Sequence, residues 1–266
     1  MASVEGARSF TAGGDAYDAF MGRYAVLLAP LMADLAGVRA GQRALDVGCG
    51  TGALTGELVR RLGADHVTGC DPAPGQLAAC RAKHPDVELH EAPAEELPFE
   101  DDAFDVALAQ LVLHFATDAE RAVEQMRRVV VPGGRVAACV WDFEGGMEML
   151  RAFWDAAVTV DPRAPDELLT MRFGRGGELT SLLEGAGLVD VAEERLEVRT
   201  RYTDVQELWS TLLLGVGPAG THLVALPPEQ REALRTAYLD RLGHPTGPFT
   251  LGSVARAAVG TVPHTA

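Results

Sequence analysis

Three glycines alternate in Gly48-x-Gly50-x-Gly52, closing the apolar run Arg43-Ala-Leu-Asp-Val47 and opening a helical stretch. A strand that ends in glycines lets backbone N–H groups and a helix N-terminus approach a ligand that any Cβ would hold off. The spacing differs from the G-x-G-x-x-G of a dinucleotide fingerprint and the G-x-x-x-x-G-K-[ST] of a P-loop, and no lysine follows to hold a phosphate. The remaining adenine-ribose cofactor carries a carboxylate and an ammonium where the others carry phosphates: S-adenosylmethionine. Asp71 lies 19 residues beyond Gly52 and ends the run Val67-Thr-Gly-Cys-Asp71. An acid at the end of a second strand accepts hydrogen bonds from the two ribose hydroxyls. His114, in Gln110-Leu-Val-Leu-His-Phe115, leaves the fourth apolar run on the ligand-binding side and is the best-placed general base. A pocket-wall or helix-capping histidine is the alternative reading. Such a base contributes roughly 10²- to 10⁴-fold when the acceptor is a phenol, hydroxyl or acidic carbon.

The elements that must position these residues follow from periodicity. Apolar runs at Arg43–Val47, His66–Asp71, Val87–Glu91, Phe104–Ala109 and Arg135–Trp141 read as strands. Amphipathic stretches at Gly52–Leu62, Pro74–Lys83 and Asp118–Val129 read as helices between them, the last capped by Thr117 or Asp118. Pro132-Gly133-Gly134 reads as a tight turn into the fifth strand. Ahead of the sheet, Asp15–Ala36 has helical spacing, with Tyr17, Phe20, Met21 and Tyr24 on adjacent turns, as a lid or packing helix. Beyond it come helices at Phe143–Val158 and Gly177–Ala186 and an alternating edge or antiparallel strand at Val189–Thr200. Helices at Val205–Leu214 and Pro228–Leu242, joined by Gly215–Gly220, precede a closing strand near Ser253–Val259.

Composition narrows the function classes. A net charge of −15 repels phosphate backbones and anionic lipid, so nucleic acid and membrane are not expected partners. Cys49, Cys70, Cys80 and Cys139 show neither C-x-x-C spacing nor a disulfide framework, so no metal is expected and the cytoplasm is the expected location. The N-terminus lacks a basic segment followed by an apolar one. Of the aromatic residues that helical spacing places in the later segments, Phe143, Phe153, Trp154, Phe173 and Trp209, about half are expected in the core rather than around a substrate.

The glycine loop, Asp71, Ala94-Glu-Glu-Leu-Pro-Phe99, Gln110 and Val130-Val-Pro-Gly-Gly-Arg135 occur in an order that resembles the class I S-adenosylmethionine-dependent methyltransferases. The likeness is to the small-molecule branch that includes the ubiquinone and menaquinone C-methyltransferases, and it spans about residues 40 to 142. Tyr17-Asp-Ala-Phe-Met-Gly-Arg-Tyr24 and Trp141-Asp142 are similar to further bacterial members. The resemblance implies that Asp46, Gly48, Cys49, Gly50, Gly52 and the helix bearing Tyr17 and Met21 hold the methionine end of the cofactor, with Arg23 on its carboxylate. It further implies Asp71 on the ribose, Pro72 and Gln76 beside the adenine, Ala94 and Glu95 at its polar edge, and Gln110 and Leu111 beside the sulfonium. One departure is Pro93, where this branch commonly has an aspartate that accepts from the adenine amino group. Losing one such bond weakens binding by about 0.5 to 1.5 kcal/mol.

The expected fold is α/β, a doubly wound, mostly parallel seven-stranded sheet of the Rossmann-like methyltransferase type with helical cap insertions. It is expected as one domain over residues 1–266, with a core at about 39–142, 176–202 and 249–262 and a cap at 1–38, 143–175 and 203–248. The expected function is methyl transfer to oxygen, nitrogen or carbon of a small-molecule acceptor. A non-catalytic cofactor-binding protein is the first alternative. An NAD-dependent oxidoreductase is the second, disfavoured by the loop spacing.

Overall fold

The computed structural model describes residues 14–169 and 171–264. Five strands pair in parallel: β1 (Ala44–Val47), β2 (Val67–Asp71), β3 (Glu88–Glu91), β4 (Phe104–Gln110) and β5 (Val130–Trp141). β7 (Phe249–Thr261) inserts antiparallel between β5 and β6 (Val189–Tyr202), giving the order β3-β2-β1-β4-β5-β7-β6. Every residue of β1 and β2 is buried. Central parallel strands covered on both faces read as continuous apolar runs, which is why these two were legible. The order reverses between β1 and β4, so the crevice beyond their carboxyl ends is the expected ligand site.

Successive residues of β4 feed opposite cores. Val106 and Leu108 pack in the layer of the first helix, α1, while Ala107 and Ala109 face α4 (Ala119–Val129) and α6 (Glu178–Gly185). α1 runs over residues 14–35 and contains a π-helical turn at Asp18–Gly22 ahead of Arg23–Leu35. α2 (Ala53–Leu62) and α3 (Pro74–Lys83) follow β1 and β2. Asp118 caps α4 by accepting from Arg121 N–H at 2.9 Å.

The remaining helices gather over one side of the sheet. α5 (Glu148–Val160) packs on α9 (Pro228–Arg241), with α7 (Val205–Leu212) and α8 (Gly217–Ala225) alongside. Four elements differ from the sequence expectation. β5 begins at Val130, and Pro132-Gly133-Gly134 is an irregularity within it, because a Cβ on Gly134 would lie 2.6 Å from the Asp105 carbonyl oxygen. α5 begins at Glu148 rather than Phe143, after a turn in which Gly146 meets the Asp142 side chain. Gly215–Gly220 is no mere connector: α8 starts at Gly217, with Pro218 in its first turn and Leu223 fully buried. Proline suits a first turn, and burial overrides the poor helix propensity of glycine. β7 extends well past Ser253–Val259 at both ends, because β5 and β6 supply partners along its whole length.

Candidate active site

The glycine loop lies in the crevice between β1 and β4. Gly48, Gly50 and Gly52 have φ of +70°, +53° and +91°, the left-handed region that side chains rarely adopt. A Cβ on Gly48 would stand 2.5 Å from Val112 Cγ2, so that glycine is required by packing. A Cβ on Gly50 would meet nothing within 4 Å, so that glycine keeps the space above the loop open. The pocket there, about 330 Å³, is lined by Tyr17, Asp46, Gly48, Cys49, Gly50, Gln110 and Leu111 from the expected set, and also by Thr51, Ala53 and Leu54.

Its polar groups suit a zwitterionic nucleoside. Asp71 Oδ2 accepts from Gly50 N–H at 3.0 Å and Oδ1 from Ala73 N–H at 2.9 Å, which leaves each oxygen a lone pair for a ribose hydroxyl. Burial raises its pKa. Asp46 is buried, accepts from Thr55 Oγ1 at 2.6 Å, and has its pKa pushed up to about 7 by desolvation, so a cation arriving beside it would complete a pair. The first turn of α2 has no side-chain cap at Gly52, and while its Thr55 N–H goes to Asp46, the N–H groups ahead of Thr55 have no intrahelical partners, as suits a carboxylate. Gln76 and Gln110 each bury an Oε1 with no hydrogen-bond partner, although Gln110 Nε2 donates to the Ala25 carbonyl at 3.1 Å. Orphaned acceptors of this kind point to a missing ligand. These residues fit S-adenosylmethionine.

The other expected residues divide. Gly52 adjoins the pocket as the turn into α2, and Ala94 is buried while Pro72 is exposed. Met21 lines a neighbouring chamber instead of the loop pocket. Arg23 is a correction: its guanidinium pairs with Glu207 at 2.8 Å and lies 4.3 Å from the centre of the Tyr202 ring, so it holds α1 to β6 and the segment after it. Glu95 is another. Its Oε1 accepts from the backbone N–H groups of Thr117 and Asp118 at 2.8 and 3.2 Å, so it braces the approach to α4 rather than facing adenine.

A second pocket, about 460 Å³, shares Tyr17 and Leu111 with the first. Leu111 sits at the junction with φ +64°, a strained conformation for leucine of the sort that concentrates at functional sites. The chamber walls are mostly apolar, among them Phe20, Trp141, Phe143 and Leu150. Of the expected aromatic set only Phe143 faces it; Phe153, Trp154 and Trp209 are buried in the core, and Phe173 edges an open groove. His114 lines the chamber with Nδ1 buried and unbonded, and desolvation drops its pKa to about 3, so its imidazole is neutral. Burial pushes the Tyr17 phenol up to about 12. Glu167 was not anticipated. It enters from the 3₁₀ turn Glu167–Leu169, accepts from Trp154 Nε1 at 2.9 Å, and has a pKa raised to about 7 by desolvation. No periodicity marks it, and in the charged, proline-containing stretch Asp161-Pro-Arg-Ala-Pro-Asp-Glu167 nothing local sets this acid apart from its neighbours.

Fold and site together define a Rossmann-like protein with a pocket over the glycine loop that opens onto an apolar chamber. Residues 45–138 match a family described as "Methyltransferase domain". The ubiquinone/menaquinone biosynthesis C-methyltransferase of Idiomarina loihiensis is 42% identical over 110 residues, 39% of this chain and 44% of that enzyme. The chain thus spans less than half the length of the curated relatives it matches first. An uncharacterised protein of Mycobacterium bovis is 30% identical over 195 residues, 72% of this chain and 70% of its own. The chain belongs to the class I S-adenosylmethionine-dependent methyltransferases, and S-adenosylmethionine is its cofactor. A solved structure from Anaeromyxobacter dehalogenans shares the fold at TM-score 0.62 and 23% identity, covering 90% of this chain and 97% of that one. The [4+2]-cyclase SpnF does so at 0.53 and 22%, covering 90% and 82%.

Proposed function

We propose that this protein methylates an uncharged small molecule held in the apolar chamber. The observation that carries this reading is the meeting of the two pockets at Tyr17 and Leu111. S-adenosylmethionine brings an already activated methyl group, so the protein needs no electrophile of its own. Asp71 holds the ribose, Asp46 faces the ammonium, and the α2 N-terminus takes the carboxylate. Gln76 and the Ala94 backbone flank the adenine, in place of the aspartate that Pro93 replaces.

The chamber then positions the acceptor and excludes water. Proximity of this kind accounts for several kcal/mol of a barrier, about 7 to 11 in the best intramolecular cases. His114 Nδ1 accepts a hydrogen bond from the acceptor's hydroxyl or amine. Its depressed pKa makes it an orienting group rather than a carrier of protons at neutral pH. An anionic acceptor would find, among the described residues, no lysine or arginine along the chamber wall. A purely cofactor-binding protein would have no use for a second pocket joined to the first.

We place the protein in the cytoplasm, as its free cysteines suit, with neither nucleic acid nor membrane as partner. Among the described residues no single helix is long and apolar enough to cross a membrane. The chain is read as one domain, with the substrate chosen by its cap.

The test is a labelled-methyl screen over uncharged phenols, quinols and amines and their carboxylate analogues. Transfer to an uncharged member is expected, and His114→Ala should lower turnover with little effect on cofactor binding. Transfer confined to the carboxylates would overturn the chamber reading.

A further inference from the structure

We propose that Asp18 is a positioning residue that clamps α1 across the glycine loop, and that residue 22 is glycine to make room for it. The proposal rests on the reading that this loop holds S-adenosylmethionine. Asp18 Oδ1 accepts from Thr51 Oγ1 at 2.5 Å, and Oδ2 pairs with the ammonium of Lys83. Thr51 is buried between Gly50 and Gly52, and Lys83, the chain's single lysine, ends α3. One carboxylate thereby ties together α1, the loop and α3. Tyr17 and Ala25, from the same helix, line the cofactor pocket. The clamp therefore holds that wall of the pocket against the loop, and releasing the cofactor requires breaking it.

Gly22 supplies the independent observation. Its φ and ψ are −58° and −34°, ordinary right-handed helix that any residue adopts, so the backbone does not call for glycine. Space does. A Cβ there would lie 2.9 Å from Asp18 Oδ1 and 3.3 Å from Asp18 Cβ. The π-helical turn Asp18–Gly22 brings the two residues over one another, and such turns recur at functional sites. An alanine at 22 would push the Asp18 carboxylate off Thr51 while leaving the helix intact.

The experiment measures S-adenosylhomocysteine binding by calorimetry and its release by stopped-flow tryptophan fluorescence, in wild type, Asp18→Ala, Asp18→Asn and Gly22→Ala. Release at least tenfold faster is expected for Asp18→Ala, with Asp18→Asn intermediate because it keeps a partner for Thr51 but loses the negative charge that pairs with Lys83. Gly22→Ala should also release the ligand faster while its melting temperature is unchanged or higher, since alanine is the better helix former. A merely structural role would instead lower affinity and melting temperature together. Release within twofold of wild type in both Asp18→Ala and Gly22→Ala overturns the clamp alone. Failure of folded wild type to bind the ligand overturns the cofactor reading and the clamp with it.

Discussion

Asp46 combines two demands in one carboxylate. Desolvation raises its pKa to about 7, so the folded state keeps a proton that the unfolded chain releases near its usual value of about 4. The stabilising contribution is present at low pH and is lost as pH rises through about 7. Glu167, also raised to about 7, acts in the same direction. Buried neutral His114, its pKa held at about 3, acts in the opposite direction below its ordinary value of about 6.5, so the melting temperature of the cofactor-free protein is expected to fall between about pH 6.5 and pH 8. Asp46→Asn should remove part of that slope, and a thermal melt series checks it. Cofactor affinity should move the opposite way, because an ammonium beside Asp46 favours the ionised form; it rises with pH through about 7 and then levels. The left-handed glycine turn and the Asp71 carboxylate that accepts from it were legible from spacing alone, because both lie at the ends of adjacent strands. Arg23 and Glu95 were not, because their partners, Glu207 and the Thr117–Asp118 backbone, lie far along the chain.

At the scale of elements, α1 is fastened to β6 and the segment after it by two adjacent contacts. The hydroxyl groups of Tyr24 and Tyr202 hydrogen-bond in the core, joining α1 to β6, while Arg23 pairs with Glu207 just beyond it. Tyr202→Phe leaves the buried Tyr24 hydroxyl without that partner, which costs about 1 to 3 kcal/mol. For a chain of this size a loss of that order lowers the melting temperature by roughly 2 to 4 °C per kcal/mol, measurable by calorimetry. The central parallel strands and the helices between them were readable because they bury continuous or amphipathic apolar faces, whereas the edge strand β3 has no buried residue. α8 was hidden by its glycines and proline, whose usual meaning as loop residues yields here to the burial of Gly217, Ala219 and Leu223. The irregularity in β5 was hidden for a related reason: Gly134 answers to the Asp105 carbonyl of a neighbouring strand, which no local pattern reports.

For the whole molecule, sequence order and spatial order part at the cap. Glu167, Gly217 and Phe143 meet around one chamber from segments separated by tens of residues, so the chamber's chemistry emerges only on folding. The fold hosts more than one reaction, as its likeness to a cyclase illustrates, and the site rather than the sheet decides function. The central claim is that the crevice between β1 and β4 binds S-adenosylmethionine through Asp71. Calorimetric titration of wild type and Asp71→Ala with S-adenosylmethionine tests it most directly. The account predicts one cofactor bound per chain, with affinity about tenfold or more weaker in Asp71→Ala, the worth of hydrogen bonds to a charged acceptor at about 1.5 to 3 kcal/mol. Equal affinity in the two folded proteins, or no binding by wild type, would contradict it.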